Sequence, residues 1–101
     1  MKKVKLLDCT MRDGGYVNDW EYGHSTMMSI YKRLDESGVD YIEIGFLDDR
    51  REYDPNRSIQ PNTECYNKIY SGVHKKNAIP VAMIDYGTCD ISNIADAKDS
   101  F

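Results

Sequence analysis

Three hydrophobic segments, separated by longer polar and amphipathic stretches, predict three β-strands in this chain. They are residues 4–10 (VKLLDCT), 39–46 (VDYIEIGF) and 79–85 (IPVAMID). Each is a short run of large apolar residues that ends beside polar or glycine residues, which favour turns. Pro80 comes at the start of the third segment, a position where a strand tolerates proline.

Two amphipathic stretches between these segments predict helices over about 21–37 and 64–76. Apolar residues recur there with the spacing of one helix face. The stripes consist of Met27, Ile30, Tyr31 and Leu34 in the first helix and of Tyr66, Ile69, Tyr70 and Val73 in the second. We expect Asn18 or Asp19 to cap the first helix and Gly38 to end it.

The order strand, helix, strand, helix, strand predicts an α/β fold with parallel strands and right-handed crossovers. A TIM (β/α)8 barrel repeats such units over roughly 250 residues, whereas this chain has 101. We therefore predict that residues 1–101 form the N-terminal segment of a TIM barrel, with about three β/α units. Because such a segment leaves strand edges unpaired, we expect it to belong to a longer protein or to associate. Its partner would be the remainder of the barrel or a second copy, as in a homo-oligomer.

Polar residues at the end of the first strand predict a functional site. Arg12 and Asp13 follow the strand directly, and glycines at 14 and 15 come next. In α/β proteins, active sites lie at the carboxyl ends of parallel strands. Strand alternation places Asp8, Thr10 and Arg12 on one face, and Leu7 on the opposite face.

The second strand and the loop after it add to the same predicted rim. Alternation puts Glu43 on one face of this strand, away from the apolar Ile42, Ile44 and Phe46. An unpaired buried charge is costly, so Glu43 needs a partner or a chemical role. The polar loop over 47–61 is long, which is typical of a functional or mobile segment. Asp85 ends the third strand and is expected on this rim as well.

Composition excludes several classes of function. The formal net charge is −4, which disfavours a nucleic-acid-binding protein. No apolar run approaches the roughly 20 residues that span a bilayer, so we expect no membrane association. Three widely spaced cysteines match neither a disulfide framework nor a zinc site. We therefore expect a cytoplasmic protein.

The stretch DCTMRDG, residues 8–14, resembles the D-x-T-x-R-D-G signature of the DRE-TIM metallolyases. This family includes 3-hydroxy-3-methylglutaryl-CoA lyase, 4-hydroxy-2-oxovalerate aldolase and several acyl-CoA condensing synthases. GVDYIEIG, residues 38–45, is similar to the second strand of the family, which carries an inward glutamate. The longer run RDGGYVNDWEYG, residues 12–23, looks closest to aldolases of the hydroxy-oxovalerate type.

The resemblance implies a metal-dependent carbon–carbon lyase of the aldolase type that cleaves a small 2-oxo or hydroxy acid. Such a reaction passes through an enolate, whose charge a divalent cation (Mn²⁺ or Mg²⁺) and an arginine stabilise. By resemblance, Asp13 is a metal ligand and Arg12 is the electrostatic catalyst and a substrate contact. Glu43 is expected to hydrogen-bond within the site, for example by orienting Arg12.

Three further residues complete the predicted site. Tyr16 stands where the hydroxy-oxovalerate aldolases have a catalytic histidine; a tyrosine is a poor base at neutral pH, but it can relay a proton or hold substrate. Asp8 and Asp85 are predicted substrate contacts, and Asp8 also has a structural interpretation as an anchor of the loop.

Two alternatives remain open. The first is a Claisen-type acyl-CoA condensing enzyme on the same scaffold; those synthases usually have glutamate where this chain has Gly15. The second is a non-catalytic segment that needs assembly with other chains. The family completes its metal site with two histidines, one residue apart, and His24 and His74 cannot form that pair. We therefore expect little turnover from the 101-residue chain alone.

Overall fold

The computed structural model describes residues 4–101, and within them a four-stranded parallel sheet packs against helices. The strands are β1 (Leu7–Asp8), β2 (Tyr41–Leu47), β3 (Ile59–Gln60) and β4 (Ile79–Met83). The helices are α1 (Thr10–Asp13), α2 (His24–Ser37) and α3 (Thr63–Tyr70), and 3-10 turns cover Gly14–Val17, Ile91–Asn93 and Ala97–Asp99. In this range, no helix is both long and apolar enough to cross a membrane.

The central strand of the sheet is β2, which pairs in parallel with the other three strands. Tyr41 lies opposite Leu7 of β1 and Ile79 of β4, and Phe46 lies opposite Ile59 of β3 and a residue of β4. Because a strand has two edges, β1 and β3 follow one another along one edge of β2 while β4 occupies the other edge. The predicted parallel α/β arrangement is confirmed. The sheet of residues 4–101 is open, and the barrel stays a prediction.

The apolar core lies between β2 and the two longer helices. Ile42 and Ile44 are fully buried and belong to one cluster with Tyr31 of α2 and with Tyr66 and Tyr70 of α3. The rings of Tyr31 and Tyr70 have centroids 5.6 Å apart. Burial raises the pKa of Tyr31 to about 12, so its hydroxyl stays protonated. Both predicted helix stripes therefore face the core, and the sheet is held to the helices largely by tyrosine.

The first strand is shorter than predicted. Pairing of β1 covers Leu7–Asp8, and the chain turns into helix α1 at Thr10. The Asp8 carboxylate accepts hydrogen bonds from the backbone N–H and the hydroxyl of Thr10, both at 3.0 Å. Arg12 therefore lies in a helical turn, so the predicted strand alternation does not determine the direction of its side chain.

A bulge in β2 corrects the predicted face of Phe46. The pairing with β4 shifts register between Glu43 and Gly45, which reverses the alternation beyond that point. Leu47 joins the apolar cluster, whereas Phe46 contacts the side chains that surround Glu43. Gly45 has φ of +148°, and a Cβ there would lie 1.5 Å from the carbonyl oxygen of Ser58. Glycine is required because the segment leading into β3 approaches this closely.

Helix α2 begins at His24, later than predicted, because its cap comes from the long loop. Its N-cap residue Gly23 has φ of +85° and offers no side chain. The Asn56 side chain instead accepts a hydrogen bond from the His24 backbone N–H at 3.0 Å, and its carbonyl accepts one from Gly23 at 2.9 Å. The cap predicted at 18–19 is thus wrong. Gly38 ends the helix as predicted, with φ of +91°.

Helix α3 ends at Tyr70, earlier than the pattern predicted. The Asn62 side chain caps its start by accepting a hydrogen bond from the Cys65 backbone N–H at 2.9 Å. Past its end, the Lys75 ammonium donates to the carbonyls of Tyr70, at 2.6 Å, and Val73, at 3.3 Å. A cation thus neutralises the negative end of the helix, although it lies outside the helix.

A buried carboxylate fixes the amino end of β4. Asp35, on the last turns of α2, is 3% exposed and accepts backbone hydrogen bonds from Lys76, Asn77 and Ala78 at 2.6–2.7 Å. Burial alone would raise the pKa of Asp35, but these three bonds outweigh it and hold the pKa below the ordinary aspartate value. The segment that enters the strand is therefore tied to α2 by a charged group.

Candidate active site

Arg12 and Glu43 form an ion pair at the centre of the candidate site. The Arg12 Nε donates a hydrogen bond to Glu43 Oε2, and Nη2 lies 3.4 Å from Oε1. The side chain of Glu43 is 7% exposed and that of Arg12 is 20% exposed. The hydrogen bond with Glu43, which exceeds the opposing effect of burial, raises the pKa of Arg12. The guanidinium is thus permanently charged, fixed in orientation and partly open to solvent.

Asp13 lies beside this pair on its exposed side. Its Oδ1 is 3.5 Å from Arg12 Nη1, and its side chain is 67% exposed. Arg12 therefore has one buried and one exposed carboxylate as neighbours. Since Glu43 engages Nε and Nη2, the Nη1 group is the part of the guanidinium that points to the exposed side.

Trp20 supports the Arg12 backbone. Its indole N–H donates to the Arg12 carbonyl at 2.8 Å. The ring lies directly against Gly15, where a Cβ would be 1.9 Å from the indole. Trp20 and Asp19 both have positive φ, at 58° and 54°, a strained conformation for residues other than glycine. Such strain persists only where surrounding contacts fix the backbone.

Two arginines of the long loop provide those contacts. Arg57 Nη1 donates to the Asp19 carbonyl at 2.6 Å and to its carboxylate at 2.8 Å. Arg51 forms a second ion pair with Asp19 at 2.8 Å, and its guanidinium carbon lies 5.6 Å from the centroid of the Trp20 ring. Ser58 adds hydrogen bonds to the carbonyls of Trp20 and Met11. The loop lies on the predicted rim, which confirms that prediction.

A cleft of about 200 Å³ opens beside the ion pair. One wall consists of Tyr16, Trp20, Phe46 and Ile59, and the other consists of polar residues. The three aromatic rings contact one another edge to face, with centroids 4.8–5.9 Å apart. The Arg12 guanidinium carbon lies 5.9 Å from the Phe46 centroid, so the cleft and the ion pair share a wall.

The polar wall comes from the ends of β2 and β4. Asp48 accepts hydrogen bonds from Arg50 Nε at 2.8 Å and Nη2 at 2.7 Å. This pairing, set against burial, lowers the pKa of Asp48. Asp85 and Thr88 follow β4 and also line the cleft. The structure therefore places Asp85 on the same rim as Tyr16, across the cleft.

The predicted site residues fall into two groups. Arg12, Glu43 and Asp13 meet at one point, and Tyr16 and Asp85 border the adjoining cleft. Asp8 instead uses its carboxylate within the chain, on Thr10, in line with its structural interpretation. Sequence reasoning did not assign Trp20, Phe46 and Arg57 to the site. The signal available for Trp20 was the glycine pair at 14 and 15, since Gly15 accommodates its ring.

The described residues do not by themselves fit a divalent metal. Within residues 4–101, no group of three or more His, Cys, Asp or Glu side chains could hold a metal ion. Asp13 is one hard oxygen ligand, whereas a Mn²⁺ or Mg²⁺ site needs several. His24 and His74 are exposed residues on α2 and beyond α3. The metal role of Asp13 stays a prediction.

Among curated proteins, the chain is similar to part of a 4-hydroxy-2-oxovalerate aldolase of Desulfitobacterium hafniense (strain DSM 10664 / DCB-2). The two are 38% identical over 45 residues, which is 45% of this chain and 14% of the aldolase. The similarity thus covers a small part of that enzyme, and it is consistent with a DRE-TIM-like aldolase. No protein-family profile matches the chain, and no solved structure matches it.

Proposed function

We propose that this chain carries the arginine-centred part of an aldolase-type carbon–carbon lyase that acts on small 4-hydroxy-2-oxo acids. The observation that carries the proposal is the Arg12–Glu43 pair at the carboxyl end of β1, with Asp13 beside it. A fixed guanidinium with one open side is the arrangement that a developing oxyanion requires. The partial similarity to an aldolase points to the same reaction class.

In this proposal Arg12 binds the 2-oxo oxygen through Nη1. When the bond between C3 and C4 breaks, its electron pair stays on C3 and forms the enolate, while the proton of the C4 hydroxyl leaves and C4 becomes the aldehyde. The enolate then takes a proton at C3 and becomes the 2-oxo acid. Glu43 holds the guanidinium in place, so that its donors aim at the oxygen before charge develops there.

The remaining predicted residues take supporting roles. Tyr16, whose side chain lies at the exposed mouth of the cleft, relays the proton of the C4 hydroxyl to water. Asp85 contacts substrate from the opposite wall. The divalent metal stays part of the proposal. Asp13 would be one of its ligands, and the other ligands would come from outside residues 4–101. The Asp8 substrate contact is retained only as a prediction.

Gly15 disfavours the Claisen-type alternative. The condensing synthases usually have glutamate at this position. Here Gly15 is buried under the Trp20 ring, and a Cβ on residue 15 would lie 1.9 Å from that ring. A glutamate would displace Trp20 and with it the hydrogen bond to the Arg12 carbonyl. The local packing therefore favours the aldolase-type reaction.

The test is the exchange of pyruvate methyl hydrogens for deuterium, followed by proton NMR in D2O with and without added Mn²⁺. This half-reaction needs the enolate but no carbon–carbon bond cleavage, so it suits a chain for which we expect little full turnover. We expect exchange above the buffer rate that falls at least tenfold in Arg12→Ala. His24→Ala, a change on the exposed face of α2, serves as the matched control.

Exchange at the buffer rate, or exchange equal in wild type and Arg12→Ala, would overturn the proposal and favour a non-catalytic segment. Exchange that depends on Arg12 but not on Mn²⁺ would remove the metal requirement alone.

A further inference from the structure

We infer that the cleft beside Arg12 is a subsite for one aromatic ring of the substrate. This inference rests on the proposed function and adds the class of substrate: 4-hydroxy-2-oxo acids that carry an aryl group on C4. The cleft and the ion pair share the Phe46 ring as a wall. A substrate whose 2-oxo oxygen meets Arg12 would therefore direct its far end into the cleft.

The size of the cleft fits a ring. Its volume is about 200 Å³, below the several hundred cubic ångströms typical of larger ligands. An apolar cavity of about 150 Å³ is already enough to bind benzene. A methyl group on C4, as in a small aliphatic 4-hydroxy-2-oxo acid, would leave most of this space to water.

The lining also fits a ring. Tyr16, Trp20 and Phe46 stand nearly perpendicular to one another, with interplanar angles of 63–87°. A flat ligand ring placed among them meets one wall ring face to face and the others at their edges, which are favourable aromatic geometries. Tyr16 and Phe46 differ in exposure: Tyr16 is 60% exposed and Phe46 is 6% exposed.

The arginines beside the rings argue against a cationic ligand at the rings, although Asp48, which is paired with Arg50, and Asp85 also line the cleft. The Arg12 and Arg51 guanidinium carbons already lie 5.9 and 5.6 Å from the Phe46 and Trp20 ring centroids. A second cation would meet their repulsion at the same rings. A neutral ring that continues into an anionic 2-oxo acid fits both features, because the acid end faces Arg12.

The test compares two ligands that differ in the ring, 4-phenyl-2-oxobutanoate and 2-oxopentanoate. Trp20 is the one tryptophan of the chain, so its indole N–H resonance and its fluorescence report on this cleft without ambiguity. We expect the phenyl compound to bind roughly ten- to thirtyfold more tightly, from the apolar area that a ring buries. In Tyr16→Leu this ratio should fall roughly two- to tenfold, because one ring–ring contact is lost, whereas Tyr16→Phe, which keeps the ring, should retain it.

Lys32→Ala, an exposed change on α2, is the control and should leave the ratio unchanged. Equal affinity of the two ligands for the wild-type chain, or an undiminished ratio in Tyr16→Leu, would overturn the inference. The pyruvate exchange test separates the two proposals. Exchange without ring preference removes the subsite alone. Ring preference without exchange leaves a ring-binding cleft and removes the lyase.

Discussion

One buried carboxylate lies beside the amino end of β4 and another beside the carboxyl end of β1, and the two are held in different ways. Asp35 at the amino end accepts three backbone N–H groups of residues 76–78. Glu43 on β2 binds one flexible side chain, Arg12, that also reaches solvent. Asp35 thus fixes the backbone, whereas Glu43 fixes a charge.

This difference indicates a structural role for Asp35 and a functional role for Glu43. The three backbone donors tie Asp35 to residues 76–78, so its burial serves the packing of α2 against β4. Glu43 uses its capacity on a guanidinium whose Nη1 still faces outward. The buried Glu43 carboxylate thus holds the Arg12 guanidinium at the surface, where the guanidinium can bind an anion. The carboxyl end therefore carries the candidate chemistry.

The largest expected effect comes from Gly45→Ala, in the second half of β2. A Cβ at Gly45 would lie 1.5 Å from the Ser58 carbonyl oxygen, and φ is +148°. We expect a loss of roughly 4 kcal/mol or more of unfolding free energy, since both backbone strain and a steric clash must be relieved. Urea unfolding followed by far-UV circular dichroism measures it. Gly72→Ala, where a Cβ meets nothing within 4 Å, is the control, and equal stability of the two variants would contradict the bulge geometry.

Asp35→Ala should be nearly as damaging and should act at the amino end. It leaves three backbone N–H groups of residues 76–78 without their acceptor. Because each buried donor without a partner costs about 1–3 kcal/mol, we expect a loss of roughly 3 kcal/mol in the same unfolding measurement. Glu36→Ala, at an exposed neighbour on α2, should change stability by less than about 0.5 kcal/mol. A similar small loss in both variants would show that the Asp35 bonds contribute little.

Glu43→Gln should have a smaller effect on stability and a clear effect on chemistry. Loss of one charge-assisted bond to Arg12 is expected to cost about 1–2 kcal/mol of unfolding free energy. We expect pyruvate deuterium exchange to slow about tenfold, because the guanidinium is no longer aimed at the oxygen. Exchange that stays constant or accelerates would show that Glu43 only neutralises Arg12.

The smallest expected effect is a pH dependence that distinguishes the two ends. The pKa of Asp35 in the folded chain is below the ordinary aspartate value. Its stabilising contribution is therefore complete above about pH 4 and is lost as the pH falls through the lowered folded value. Urea unfolding at a series of pH values between neutral and acid should show this loss in wild type. A weaker dependence is expected in Asp35→Asn, and parallel curves would refute the assignment.

The sequence was enough to predict the parts of the fold that depend on local pattern. The helix stripes around Tyr31 and Tyr66, the end of α2 at Gly38 and the parallel direction of the three predicted strands follow from spacing and residue type, whereas β3 lies within the stretch predicted as a loop. Arg12 was expected in the site because it follows the first strand, and Glu43 was expected beside it from the family resemblance and the cost of an unpaired buried charge. These features require no knowledge of distant contacts.

The parts that were missed depend on contacts between segments far apart in the chain. Asn56 caps α2 from the long loop, which moves the start of the helix to His24. The Ser58 carbonyl lies against Gly45, and the bulge there turns Phe46 toward the candidate site. Trp20 takes a positive φ that only its contacts with the loop explain. Local propensity contains no information on the cap or on the Trp20 backbone, whereas an isolated glycine in a strand pattern, such as Gly45, is a signal of a bulge or a close backbone approach.

The most direct test of the central claim, that Arg12 held by Glu43 is the anion-binding group, is an oxalate titration. Oxalate is a planar dianion that resembles the enolate of pyruvate, and the Trp20 indole N–H, bonded to the Arg12 carbonyl, reports on its binding by NMR. We expect a saturable shift of this resonance in wild type and in Asp35→Asn, and none in Arg12→Ala. A shift that persists in Arg12→Ala would contradict the claim.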